Sequence, residues 1–136
     1  MEISLHQKTA IVCGSTQGIG KATAVELAAL GAHIICIARN EEALQSVTKH
    51  LDTSKGQQHQ YRVADFSQQE EVAACVASLQ QDVKEIHILI NNTGGPPAGQ
   101  AIAAAPADYL SAFQLHLICN QLLTQGVAEK MKSQGY

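Results

Sequence analysis

Tryptophan is absent from the sequence, and three tyrosines and two phenylalanines are its whole stock of Phe, Tyr and Trp. The core must therefore be assembled from Ala, Val, Ile and Leu. Apolar residues make up 46% of the 136-residue chain and charged ones 15%, the proportions of a folded globular domain rather than a disordered segment. That length is one domain's worth, enough to bury most of its apolar surface. No run of Lys or Arg exists and the formal net charge is −3, so nothing attracts nucleic acid. No apolar stretch nears the roughly 20 residues of a membrane helix. Met1-Glu2 opens without the basic and apolar regions of a secretion signal, so the expected location is cytoplasmic. Cys13, Cys36, Cys75 and Cys119 form no Cys-x-x-Cys pair, and the six histidines lack metal-ligand spacing. The expectation is no metal site and no disulfide framework, with the thiols serving as small apolar side chains. Repeats, linkers and low-complexity tracts are missing too.

What is present is alternation. The apolar run Thr9–Cys13 meets a Gly-rich turn, Gly14 to Gly20, and then the period changes to helical. Ile19, Ala22, Leu27 and Leu30 fall on one stripe, and Gly31 is placed to end the helix. A second strand is expected over His33–Ala38. Asn40 is the expected N-cap of a helix with Leu44, Val47 and Leu51 inward. A third strand follows over residues 60–64. Ser67 and Glu70 have capping-box spacing, ahead of a helix burying Val72, Val76, Leu79 and Val83. The fourth strand covers residues 86–90, a loop rich in Gly, Pro and Ala covers 91–106, and a final helix runs from about Asp108 towards Met131 with Phe113, Leu117 and Val127 among its apolar positions. Four strands and four helices in strict alternation predict an α/β, Rossmann-type doubly wound parallel sheet of order 3-2-1-4. Ligands bind such sheets at the carboxyl ends of the strands, where the winding reverses.

Gly14-x-x-x-Gly18-x-Gly20 sits between the first strand and first helix. Without a Cβ the turn can be tight and the backbone can approach a phosphate, which the helix amides and dipole then attract. Ser15 and Thr16 can add hydroxyl donors. The plain alternative is a turn that only joins strand to helix. This spacing, with Ala64-Asp65-Phe66 and Asn91-Asn92-Thr93-Gly94, resembles the short-chain dehydrogenase/reductase family along essentially the whole chain. Within that family it looks most like the 3-oxoacyl-acyl-carrier-protein reductase type, including a branch with Thr-Gly-Gly-Pro-Pro after the Asn pair.

The resemblance implies an oxidoreductase that moves hydride between a nicotinamide and a carbonyl or alcohol. Its cofactor residues would be Gly14, Ser15, Thr16, Gln17, Gly18, Ile19 and Gly20 in the turn, with Arg39, Asn40, Asp65, Phe66, Asn92, Thr93 and Gly94. Asp65 would accept a hydrogen bond from the adenine amino group with the Phe66 backbone beside it, and Asn92, Thr93 and Gly94 would border ribose and pyrophosphate. Cys13 stands where the family usually has Thr. The alternative for Asp65 is a helix-start residue. The second strand ends in Ala38, then Arg39 and Asn40, where NAD-preferring enzymes carry a carboxylate. A guanidinium can hold a 2′-phosphate that a carboxylate would repel, so NADP(H) is favoured over NAD(H). Alternatively, Arg39 only solvates the strand end.

The family's catalytic Ser and Tyr-x-x-x-Lys have no counterpart among these residues. Tyr61 and Tyr109 are followed four places on by Asp65 and Phe113, and Tyr136 is the last residue. The chain therefore reads as the amino-terminal, nucleotide-binding half of the fold, residues 1–136, and as inactive alone. His116 aligns with the family's catalytic Asn, either positioning a water or a lysine, or serving only as a helix residue. The stop leaves an apolar edge strand and an apolar helix face, and family members assemble through this helix, so residues 108–132 are a candidate homo-oligomer surface. A non-catalytic nucleotide-binding or subunit-interaction module is the other reading. A flavin or S-adenosylmethionine protein fits the glycine spacing poorly.

Overall fold

Side chains on the two central strands alternate between two separate apolar layers. In the computed structural model, which describes residues 3–95 and 98–136, β1 (Thr9–Cys13) sends Ala10 and Val12 into one layer and Ile11 and Cys13 into the other. Likewise β2 (His33–Ala38) divides Ile34, Cys36 and Ala38 from Ile35 and Ile37. Such strands read as unbroken apolar runs because helices cover both faces of the sheet. The reading of Met1-Glu2 and the Pro96-Pro97 pair lie outside the described residues.

β3 (Gln60–Val63) and β4 (Ile88–Ile90) complete a parallel sheet of order β3-β2-β1-β4. Both strands are shorter than the expected 60–64 and 86–90. α1 (Gly18–Ala29) and α2 (Glu41–His50) bound one layer; α3 (Gln69–Asp82) and the fourth helix bound the other. The fourth helix starts at Pro106, not Asp108. Proline suits a first helical position because its missing N–H would have no partner there. The helix comprises α4 (Pro106–Phe113), a π turn (Gln114–Ile118) and α5 (Cys119–Gln134), with helical backbone angles at both junctions. A 3₁₀ turn at Ala101–Ala103 interrupts the loop before it.

Three local expectations fail for identifiable reasons. The buried face of α1 is Gly20, Ala24 and Ala28, whereas Ile19 is 79% exposed and Ala22 is exposed. Small residues at i, i+4 and i+8 let the helix lie close to the sheet, a requirement that hydrophobic periodicity does not register. Ser67 and Glu70 form no capping box. Asp65 Oδ1 accepts from the Ser67 N–H and hydroxyl, and Glu71 Oε2 accepts the Asp65 N–H at 2.8 Å. Finally, Phe113 and Leu117 are 61% and 53% exposed, while Cys119, Leu123 and Val127 carry the packing against α3. Asn40 does cap α2, accepting the Ala43 N–H at 2.9 Å, and the four cysteines are free and buried. Among the described residues no helix is long and apolar enough to cross a membrane.

Candidate functional site

β1 ends at Cys13, and Gly14 turns the chain at φ +60° while its N–H reaches the Ile37 carbonyl at 2.8 Å. The loop is held from behind by Asn92, whose Nδ2 donates to the carbonyls of Cys13 at 3.2 Å and Gly14 at 3.4 Å. Space here admits no side chain. A Cβ on Gly14 would sit 2.7 Å from Asn92 Nδ2, and one on Gly20 would overlap the Gly14 carbonyl. Gly18 is different: its φ is +54° and open space surrounds the place of a Cβ. No side chain caps the first turn of α1, and no acidic residue lies in it. Helix-terminal amides without internal partners are therefore presented at the end of β1.

In front of them lies a cleft of about 490 Å³. It is lined by Gly14, Thr16, Gln17, Gly18 and Ile19 from the turn, by Arg39 after β2, by Asp65 and Phe66 after β3, and by Asn92, Thr93 and Gly94 after β4. Residues from the ends of all four strands thus converge, at the winding reversal between β1 and β4. Three expected residues stand behind the cleft instead. Gly20 packs on the turn. Asn40 spends its side chain on the α2 cap. The Ser15 hydroxyl is buried against the Cys36 thiol, with Thr48 also near, and no well-formed hydrogen bond satisfies either hydroxyl. Burial raises the Cys36 thiol, with Ser15 and Thr48 opposing.

Ala38, Ala64, Gly95 and Leu115 also line the cleft. Ala38 and Ala64 follow from strand ends that the sequence located. Leu115 belongs to the π turn, for which the sequence carries no signal.

Electrostatics across the cleft are set by Arg39 and Asp65. Hydrogen bonds from Ser67 hold the Asp65 carboxyl below its ordinary range, and the positive charge of Arg39 adds to this. Asp65 lines the cleft from the turn before α3, whose N-cap is Gln68, and its Oδ1 is committed to Ser67. Phe66 is 7% exposed, and its carbonyl accepts the Cys119 thiol at 2.7 Å. Burial pushes the Cys13 thiol up to about 12, so beneath the turn it is a packing group and not a nucleophile. His116 does not line the cleft, but its Nδ1 lies 2.8 Å from Thr93 Oγ1, tying the π turn to the loop after β4.

Residues 8–136 match the sequence pattern described as short chain dehydrogenase. A rat protein named inactive hydroxysteroid dehydrogenase-like protein 1 is 38% identical over 107 residues, covering 78% of this chain and 32% of its own length. Human retinol dehydrogenase 11 is 32% identical over 135 residues, covering 96% of this chain and 41% of that protein. L-sorbose reductase from Gluconobacter frateurii, solved with NADPH and L-sorbose, superimposes with a TM-score of 0.90 at 29% identity, over 99% of this chain and 51% of that one. The chain thus spans from about a third to about half of the length of these three proteins. With its glycine turn, its Asn pair and its 3-2-1-4 sheet, this chain belongs to the short-chain dehydrogenase family.

Proposed function

We infer that the cleft binds NADP(H), the nucleotide half of a short-chain oxidoreductase. One observation carries this reading: the uncapped start of α1, Arg39 and Asp65 open onto the same cleft at the strands' carboxyl ends. Amides of Gly18 and Ile19 would hold the pyrophosphate, and the Arg39 guanidinium would pair with a 2′-phosphate. The free oxygen of Asp65 would accept from the adenine amino group, with Phe66 beside it. Thr93 and Gly94 would border the ribose, while Asn92 keeps the turn rigid. Bound nicotinamide supplies hydride to a carbonyl, or takes it from an alcohol. A 3-oxoacyl thioester is the proposed substrate, supported only by the Thr93-Gly94-Gly95 run with the two prolines after it. Retinol dehydrogenase and sorbose reductase among the similar proteins support the broader carbonyl/alcohol class.

Reduction also needs an acid for the developing alkoxide and donors that polarise the carbonyl. No Tyr-x-x-x-Lys is present in these 136 residues, so the chain by itself is proposed to bind and not to turn over. Titration of folded protein with NADPH and NADH tests the cofactor assignment. Preference for NADPH by about tenfold or more is expected from one charged hydrogen-bonded contact, and equal affinities would remove it. The second reading, nucleotide holding without turnover in any form, is favoured by the word "inactive" in the names of the rat and human relatives. In-frame Ser and Tyr-x-x-x-Lys codons beyond codon 136 would support the enzyme, and a stop codon the binding module. Self-association through residues 108–132 is proposed with either, because Tyr109, Leu110, Phe113 and Leu117 are exposed there. Sedimentation as a monomer at every concentration would dismiss it.

A further inference from the structure

The opposite rim of the sheet, at the amino ends of the strands, is held by imidazole rings. His87 Nδ1 accepts the Thr9 N–H at 3.1 Å, and the Thr9 carbonyl accepts the His87 N–H at 2.9 Å. This exchange lies one step ahead of the β1–β4 ladder, which begins at Ala10 and Ile88. A reciprocal pair precedes the β2–β3 ladder, which begins at Ile35 and Gln60. There His33 Nδ1 accepts the Gln58 N–H at 2.8 Å and His59 Nδ1 accepts the Ile34 N–H at 3.1 Å. His59 Nε2 lies 2.8 Å from the Asp52 carbonyl, which can only accept, so that nitrogen carries the ring's proton. His50 provides the contrast within the same chain. Its Nδ1 faces the Ser46 carbonyl at 2.6 Å, so it donates, and protonation leaves that bond intact.

We propose that His33, His59 and His87 form an acid-released latch, closing the amino rim of the sheet while their Nδ1 atoms are unprotonated and opening it when those atoms gain protons. Protonation would turn each acceptor into an N–H pointing at a backbone N–H. The surroundings of the three rings differ. His87 is 7% exposed, with Lys8 and Glu85 as its charged neighbours and the Tyr136 ring edge-on at 5.5 Å. Burial and the Lys8 charge hold it below the ordinary imidazole range, with Glu85 opposing. His33 shares its cavity with Asp82, Lys84 and Glu85. His59 lies near the Asp52 carboxylate, itself beside Lys55. Unfolded imidazoles take a proton near about pH 6.5, so the latch contributes fully above that pH. Its contribution falls as the pH falls below, because the unfolded chain then binds more protons than the folded one.

Urea unfolding from about pH 7.5 to about pH 5.5, the range in which imidazole titrates, tests the latch. The unfolding constant is expected to rise with acidity, by up to about tenfold per pH unit for each proton that the unfolded chain binds in excess of the folded one. The triple variant His33→Asn, His59→Asn, His87→Asn supplies an amide oxygen that accepts without titrating, and should flatten the profile. A flat wild-type profile, or an equally steep variant one, would overturn the proposal. Because the variant can fail to fold, imidazole ¹⁵N spectra of the wild type give an independent reading. The His87 ring should keep an unprotonated Nδ1 below the pH near which an unfolded imidazole takes its proton, about 6.5; protonation of that nitrogen at or above that pH refutes the latch.

Discussion

Gly14 shows how one missing methyl group can hold a site open. Its φ of +60° and the Asn92 atoms 2.7 and 2.8 Å from a would-be Cβ make alanine costly there twice over, in backbone strain and in overlap. Gly14→Ala is expected to lose about 1–3 kcal/mol in urea unfolding and to weaken nucleotide binding as the loop shifts. A change below about 0.5 kcal/mol, the scale of an ordinary surface substitution, would mean that the loop yields easily. At Arg39 charge, not shape, decides. Arg39→Glu should weaken NADPH binding by about ten- to a hundredfold while leaving NADH little changed, as read by fluorescence titration. Asp65 gives a pH signature of its own. Its folded carboxyl is held low by Ser67 and then by Arg39, so its contribution to stability is present above about pH 3.9 and is lost as the pH falls through its folded value. Asp65→Asn should remove that acid-side loss.

Helix-to-helix approach is set by glycine too. α5 meets α3 at Gly126, where a Cβ would overlap Val76 Cγ1, and Gln80 Nε2 donates to the Gly126 carbonyl at 2.9 Å. Gly126→Val should therefore destabilise the protein by about 1–3 kcal/mol, with partial recovery when Val76→Ala is added; no recovery would show that the contact is not the cause. At this scale the sequence was legible in proportion to its periodicity. β1 and β2 fall on the expected residues, and Asn40 caps α2 as its residue type suggests. Of the expected α1 stripe, Leu27 and Leu30 pack on the core's edge while Ile19 and Ala22 are exposed, because close packing on the sheet selects Gly20, Ala24 and Ala28. Of the cleft lining, the turn, Asp65 and Asn92 are legible as spacings and Arg39 as the residue after the second strand, whereas Asn91 turns to Thr124. Leu115 and the Thr93–His116 bond are not legible, since a π turn depends on tertiary packing that no local pattern announces.

Across the whole molecule, two apolar layers and four buried thiols imply that reagents reach the cysteines only through unfolding. A thiol-reactive chromogen should label none of them rapidly in the native protein and all four in denaturant; rapid native labelling would contradict the packing. The layers leave a cleft at the carboxyl rim, while histidine side chains bridge the strands at the amino rim. The most direct test of the nucleotide site is a ¹H–¹⁵N spectrum of folded protein with and without NADPH. Amides of Gly18 and Ile19 are expected to shift most, with Arg39 beside them. NADPH that leaves those amides in place, or that shifts only the loop over residues 98–104, would contradict it.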